Sequence, residues 1–320
     1  MSRISDEAER ARQRALDTYR IVDTLPEAAY DDIVRIASLV CGAPVALISL
    51  LDRDRQWFKA RIGIDVAETP RNEAVCDHAI RRPQQLFEVR DLAGDPRFAQ
   101  LPVVTGAEPL RFYAGVPLVT PGGAAIGTVC VLDREPRTLD ESQRAALAAL
   151  ARLAMNLVEG RRRERELERD ATLTRGTEAP VAANDGPEGP TECTIALFEL
   201  QDFAGASVRH GERALERALE KLDRLLEAEL RGHHGLDMGH SVSRASGSAE
   251  IVAVLHGHDR ESALARLRVA LAGFQRETGL VVLSAIAERR AANEALGTLF
   301  QRADEALTEV KNSRAATASR

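Results

Sequence analysis

The sequence predicts an α+β protein of two domains joined by a long helix. Short apolar runs of strand length alternate with stretches of helical periodicity along most of the chain. Between them, residues 176–191, GTEAPVAANDGPEGPT, offer almost nothing to bury and read as a flexible linker. With 320 residues, the chain also exceeds what a single hydrophobic core usually organises.

The first half opens with a helix whose face carries Ile33, Ile36 and Val40. Strand signals follow in VALISLLD (45–52), RQWFKARIG (55–63), LFEVRD (86–91), RFYAGVPLVT (111–120) and AAIGTVCVLD (124–133). Pro121, Gly122 and Gly123 join the last two as a hairpin turn. This order describes an antiparallel sheet with helices on one side and a loop-rich second face. A long helix then runs from Thr138, read as its cap, to Thr174, with acids in its first turn. Ala146, Leu150, Leu153, Leu157, Leu167 and Ala171 fall on alternating three- and four-residue steps, interrupted by Gly160 and Glu164. Such a seam predicts a parallel homodimer through helix 138–174, although its first half could pack on its own domain. After the linker come a strand at 192–200, a helix at 203–230, strands at 240–246 and 249–257, a helix at 259–275, a strand at 280–288 and a helix at 292–312. Leu215, Leu219, Leu222, Leu226 and Leu230 share one helix face, as do Leu264, Leu267, Leu271 and Phe274. The β-α-β-β-α-β order is that of ferredoxin-like and nucleotidyl-cyclase palm domains. The divisions are thus 1–137, the first sheet domain; 138–175, the helix; 176–191, the linker; 192–314, the second domain; and 315–320, a disordered tail.

Composition narrows the function. No stretch of 18 apolar residues exists and the N-terminus is polar, so neither a membrane span nor a secretory signal is expected. The four cysteines, at 41, 76, 130 and 193, form no CxxC pair, which suits a reducing cytoplasm. A formal charge of −6 argues against nucleic acid as a partner. Arg161 to Arg163 are offset by Glu164, Glu166 and Glu168, as on a solvated helix face.

Several side chains of the first half could do chemistry. Strand alternation over 55–63 puts Phe58, Ala60 and Ile62 on one face and Arg55, Trp57, Lys59 and Arg61 on the other. Trp57 among cations, with Arg61, suits an anionic ligand or partner; alternatively it covers a helix while the basic stems lie over it. Cys76 and His78 sit two apart, with Cys130 on a later strand, so a thiolate beside an imidazole could be redox-active or bind metal; a buried cysteine is otherwise a small hydrophobe. Arg111 and Tyr113 alternate with Phe112, and Ala114-Gly115 admits close backbone approach, so both are candidates for a pocket wall. The segments DRQWFKARIGIDVAETPR (54–71), VCDHAI (75–80), DPRF (95–98), RFYAGVPLV (111–119) and GTVCVLD (127–133) together resemble the GAF domains of bacterial sensor cyclases and histidine kinases, over roughly residues 15–160. The resemblance implies a module sensing a small molecule or protein, often dimeric and without chemistry of its own. Certain GAF relatives reduce free methionine sulfoxide with pocket cysteines, which leaves a thiol redox enzyme as an alternative.

In the second half, LFELQDFAGASVRHGERALERAL (197–219), SGSAEIVAVL (246–255) and RADEALTEVK (302–311) resemble a GGDEF domain. Diguanylate synthesis needs two divalent cations held by carboxylates. Where the family ends its first strand in aspartate, this chain has Glu199; where it has its glycine-acid turn, this chain reads Gly247-Ser248-Ala249-Glu250-Ile251. Ser207 and Glu216 replace the guanine-reading asparagine and aspartate, Leu215 a glycine and Ala204 a lysine, while Lys311 is kept. The RxxD inhibition pattern is not recoverable, Arg231 being followed by Gly232, His233 and His234. The resemblance therefore implies a degenerate domain in which Glu199, Glu250 and Lys311 are vestigial. No cofactor is expected; Mg2+ and GTP enter only if the domain retains binding, through Glu199 and Glu250. His233, His234 and His240, with His210, His256 or His258, admit a zinc reading, against which stands an exposed loop with adventitious affinity. The expectation is a cytoplasmic signalling regulator with an unknown GAF ligand. The alternatives are a working diguanylate cyclase and a GAF-based thiol redox enzyme.

Overall fold

Antiparallel pairing builds both sheets of the protein. The computed structural model describes residues 6–177, 192–231, 240–244, 249–291 and 293–318. The chain divides into two units, Met1–Arg162 and Arg163–Arg320.

The first unit begins with helices α1 (Asp6–Tyr19) and α2 (Ala28–Cys41). Strands β1 (Val45–Leu51), β2 (Arg55–Ile62) and β3 (Glu68–Pro70) follow, then the one-turn helix α3 (Cys76–Ala79), β4 (Phe87–Val89), the one-turn helix α4 (Pro102–Thr105), β5 (Phe112–Val119) and β6 (Ala125–Asp133). The sheet runs β3-β2-β1-β6-β5-β4. The β5–β6 hairpin closes as expected, with the Gly123 N–H donating to the Thr120 carbonyl at 2.8 Å and Gly123 at φ +84°. Helix α5 (Glu141–Thr177) leaves the sheet. Its cap is Asp140 rather than Thr138: the Asp140 carboxylate accepts from the Gln143 N–H at 2.8 Å, and the Gln143 side chain accepts from the Asp140 N–H at 3.0 Å.

Strands β1 and β6 are apolar along nearly their whole length because both faces of the sheet are covered. On one face Leu16, Tyr30, Ile33, Ala37, Leu147 and Ala154 of α1, α2 and α5 meet Ile48, Val129 and Val131. On the other, Leu47, Leu51 and Leu132 meet Val75, Ile80, Phe98 and Val104. The loop-rich face is thus a second core, closed by α3, α4 and the segments between them.

One expectation about β2 is corrected. Ala60 pairs with Ile48 but Phe58 pairs with Ser49, so Lys59 is an extra residue in a bulge. The bulge shifts the alternation. Trp57 and Ala60 join the helix-side core, with Ile62 packed against it, while Phe58 joins the loop-side core. Two of the three cations beside Trp57 are engaged within the protein. Arg55 meets Asp23, Asp52 and Glu68 at 2.6, 3.2 and 2.7 Å, and the Lys59 ammonium meets Glu27 at 2.6 Å and lies 4.9 Å from the Tyr30 ring centre.

The second unit contains β7 (Cys193–Leu200), α6 (Phe203–His210), α7 (Glu212–Arg231), β8 (Ser241–Arg244), β9 (Glu250–His256), α8 (Arg260–Thr278), β10 (Val282–Glu288) and α9 (Leu296–Ala318). Its sheet order is β10-β7-β9-β8, all antiparallel. This is the ferredoxin-like arrangement. Leu299, Ala303 and Leu307 of α9 cover Ile195, Leu197, Val254 and Leu283 on one face. The single helix expected at 203–230 is two, because Gly211 adopts φ +81° and ends α6. Helix α9 continues through residues 315–318, where a disordered tail was expected. Most of the expected linker, the pair His233 and His234, and Gly247-Ser248 lie outside the described residues.

In the first unit Glu9 of α1 receives Arg12 at 2.7 Å and Arg71 at 2.6 Å, and Arg71 also holds Asp77 of α3 at 2.9 Å. Partial burial raises the Glu9 pKa, but the two guanidiniums outweigh it and hold the carboxyl at about 2, against an ordinary 4.5. A depressed carboxyl pKa contributes stability that is complete above pH 4.5 and is lost as pH falls towards 2. Glu9→Gln is therefore expected to cost about 2 kcal/mol at neutral pH, a figure reduced for partial exposure, with the difference shrinking between pH 4.5 and 2. Urea unfolding followed by fluorescence of Trp57, the chain's one tryptophan, measures it.

Candidate functional site

The loop-side core of the first unit holds a cluster of polar side chains where the strand pattern leads one to expect hydrocarbon. Cys76 opens α3, and α3 is fixed by Asp77, which pairs with Arg71 at 2.9 Å and Arg81 at 2.6 Å. Cys130 lies on β6, opposite Leu47 of β1 and Gly115 of β5. The two sulfurs are 3.8 Å apart.

Tyr113 and Gly115 share one face of β5, and the tyrosine ring lies back over the glycine. A Cβ at Gly115 would fall 2.2 Å from the Tyr113 hydroxyl oxygen and 2.8 Å from Cζ, so only glycine permits this placement. The Tyr113 hydroxyl then donates to Cys76 Sγ at 3.2 Å, and the Gln56 amide donates to the same sulfur at 3.5 Å. Ser49 and Thr128 are cross-strand partners, both fully buried. Their hydroxyls complete no hydrogen bond of full geometry, yet lie near enough to Cys76 to favour its anion.

These contacts separate the two thiols. Burial opposes ionisation of Cys76, but Cys130, Thr128, Tyr113 and Ser49 together outweigh it and bring its pKa below the ordinary thiol range. Cys130 is pushed well above that range, first by its bond to Cys76 and then by burial. Tyr113 is pushed up too, by burial and then by negative charge at Cys76. Of the two thiols Cys76 is the easier to ionise and Cys130 the harder.

Of the residues singled out from sequence, the structure brings together Cys76, Cys130 and Tyr113. His78 turns away: its ring meets Phe98 edge-on at 4.8 Å, its Nδ1 is buried without a partner, and burial followed by the Arg81 charge lowers its pKa. Arg111 donates to the Val104 carbonyl at 2.9 Å and so closes α4 rather than lining the thiol cluster. Arg61 is exposed opposite Leu47, and Trp57 is buried on the helix side of the sheet. Ser49, Gln56 and Thr128 escaped the sequence reading, although a hydroxyl inside VALISLLD and GTVCVLD is the signal that could have found two of them.

In the second unit Glu199 and Glu250 are direct cross-strand partners on β7 and β9. Glu199 is ion-paired with Lys311 of α9, and Glu250 with Arg165 of α5. Glu216 is held by Arg244 at 2.7 Å, and Leu215 is buried. The His240 Nδ1 accepts from the His256 N–H at 3.2 Å. Among the described residues no group of three or more His, Cys, Asp or Glu is placed to hold a metal.

Residues 25–158 match the family model of the GAF domain, so the first unit carries a GAF domain. A cyclic di-GMP phosphodiesterase of Pseudomonas aeruginosa is 43% identical over 150 residues, covering 47% of this chain and 25% of the relative. The chain thus spans a quarter of that relative's length. Among solved structures, the GAF domain of an Acinetobacter phosphoenolpyruvate-protein phosphotransferase is 18% identical, with 50% of this chain and 95% of that one covered at a TM-score of 0.37. A microbial GGDEF domain solved with cyclic di-GMP is 21% identical, with 47% and 87% covered at a TM-score of 0.36.

The ring-over-glycine contact gives a prediction. Gly115→Ala is expected to cost about 1–3 kcal/mol by overpacking against the Tyr113 ring. Tyr113→Phe in that background removes the atom in closest conflict and is expected to restore part of the loss. Denaturant midpoints of the two single variants and the double variant measure the coupling, and additive effects would contradict it.

Proposed function

We propose that the protein is a cytoplasmic signalling regulator of cyclic di-GMP pathways, in which the GAF domain senses a ligand or partner and the second unit is a degenerate GGDEF-like domain that makes no cyclic di-GMP. The observation that carries this reading is the pair Glu199 and Glu250. They face each other across β7 and β9, and each already has a cation of this chain beside it. A divalent ion would have to displace Lys311 and Arg165 and find its further oxygen donors elsewhere. Ala249, next to Glu250, offers only a methyl group where the GGDEF pattern supplies an acid. The neighbouring substitutions point the same way: Leu215 fills the core, and Glu216 is bound to Arg244.

The pathway reading is supported by the relative in Pseudomonas aeruginosa, which is named as a cyclic di-GMP phosphodiesterase. No helix among the described residues is long and apolar enough to cross a membrane. Coupling is assigned to α5, which runs unbroken over 37 residues from Glu141 to Thr177. Its exposed Leu153 and Leu167 suit a parallel homodimer seam.

The purified chain, given GTP with magnesium or manganese, is expected to yield no cyclic di-GMP above a Glu199→Ala control. Product above that control would overturn the reading. Calorimetric titration with GTP and with cyclic di-GMP then separates a nucleotide-binding receptor from a protein-binding surface.

A further inference from the structure

We propose that Cys76 and Cys130 form a reversible intramolecular disulfide, which makes the loop-side core of the GAF domain a site of oxidation by a small peroxide. This inference concerns the first unit alone and stands independently of the reading of the second.

The two residues are 54 positions apart in sequence, yet their sulfurs lie 3.8 Å from each other. A disulfide bond is about 2.05 Å long, so the pair must close by roughly 1.8 Å. The two sides differ in their freedom to move. Cys130 sits in the doubly buried strand β6, bonded to β1 and β5. Cys76 sits on a single helical turn in the loop layer, so the approach comes from α3.

Cys76 is buried, yet its surroundings are polar and suit a sulfur anion. A buried cysteine kept as a small hydrophobe is wrapped in hydrocarbon. Cys76 instead meets the Tyr113 hydroxyl, the Gln56 amide and the Cys130 thiol, with the unpartnered hydroxyls of Ser49 and Thr128 close by. All five groups can donate to a sulfur anion. The other two cysteines differ. Burial raises the pKa of Cys41, and it pushes that of Cys193 up to about 11.

The chemistry balances with hydrogen peroxide as the oxidant. The Cys76 thiolate attacks one peroxide oxygen; an S–O bond forms, the O–O bond breaks, and the departing hydroxide takes a proton to become water. Cys130 sulfur then attacks Cys76 sulfur and gives up its proton. The S–S bond forms, the S–O bond breaks, and the leaving hydroxide takes that proton as a second water. Two thiols and one peroxide thus give one disulfide and two waters, and a dithiol reductant reverses the change. Closure draws Cys76 away from Tyr113 and Gln56, so oxidation reaches α3 and the packing around it.

The test uses the full reduced chain, treated with one equivalent of hydrogen peroxide. Peptide mapping without reductant is expected to find Cys76 linked to Cys130, with Cys41 and Cys193 still free and dithiothreitol restoring all four thiols. In Cys130→Ser the first step has no resolving partner, so dimedone is expected to trap sulfenic acid at Cys76. Tyr113→Phe, which leaves both cysteines in place, is expected to slow oxidation at neutral pH roughly two- to tenfold, the worth of one hydrogen bond. Four free thiols after treatment of the unaltered chain, or oxidation of Cys41 or Cys193 ahead of Cys76, would overturn the proposal, and neither outcome depends on a variant folding.

Discussion

The double burial of strand β6 is the constraint from which the first unit follows. Paired on both sides, β6 leaves no edge, and its alternate residues must each find a covered environment. Val129 and Val131 go to the helices, while Thr128 and Cys130 go to the loop layer. The helices can bury only one face of the sheet. The other needs a roof, and α3, α4 and the loops around them supply it from a chain with little regular structure there. Such a roof coheres through specific contacts as well as area. Arg71 joins α1 to α3 through Glu9 and Asp77, and Arg111 closes α4.

A polar cluster under that roof is costly to keep. A buried hydroxyl without a partner forfeits roughly 1–3 kcal/mol relative to one that is hydrogen-bonded. Ser49 and Thr128 both stand in that position, fully buried between β1 and β6. Apolar side chains of similar size would relieve the cost at no loss to the sheet. A sulfur anion offsets it in another way, because each surrounding donor then gains a charged acceptor, and such bonds are roughly twice as strong as neutral ones. The arrangement of Tyr113 over Gly115 belongs to the same account. It gives up a side chain on β5 so that a phenol can reach Cys76.

How far the sequence speaks depends on how local the cause is. Both sheets, their antiparallel pairing and the hairpin at Gly122-Gly123 follow from apolar runs and turn residues, which act over a few positions. The GAF resemblance was carried by motifs that span the matched region. The faces of β2 were misassigned because Trp57 and Phe58 are both apolar and both buried, so an alternation cannot reveal that Lys59 is inserted. The break at Gly211 was legible in principle, since the leucine series of α7 starts only after it. Cys76 and Cys130 were both named, but their contact was not legible. Its partners are brought together by the fold of a roof with no period to read, and each cysteine alone looks like a core residue.

In the second unit electrostatics takes the place that packing holds in the first. Two carboxylates directly opposite each other on adjacent antiparallel strands repel, with Cβ atoms typically about 5 Å apart. A metal-dependent enzyme can leave that repulsion to be cancelled by its ions. Here Lys311 and Arg165 cancel it from within, and they come from α9 and α5 rather than from the strands that bear the acids. Removing either cation would take an ion-pair partner from a partly buried carboxylate, a change that usually costs more than the pair contributes. The same two contacts are the ones that an ion arriving at either carboxylate would have to displace.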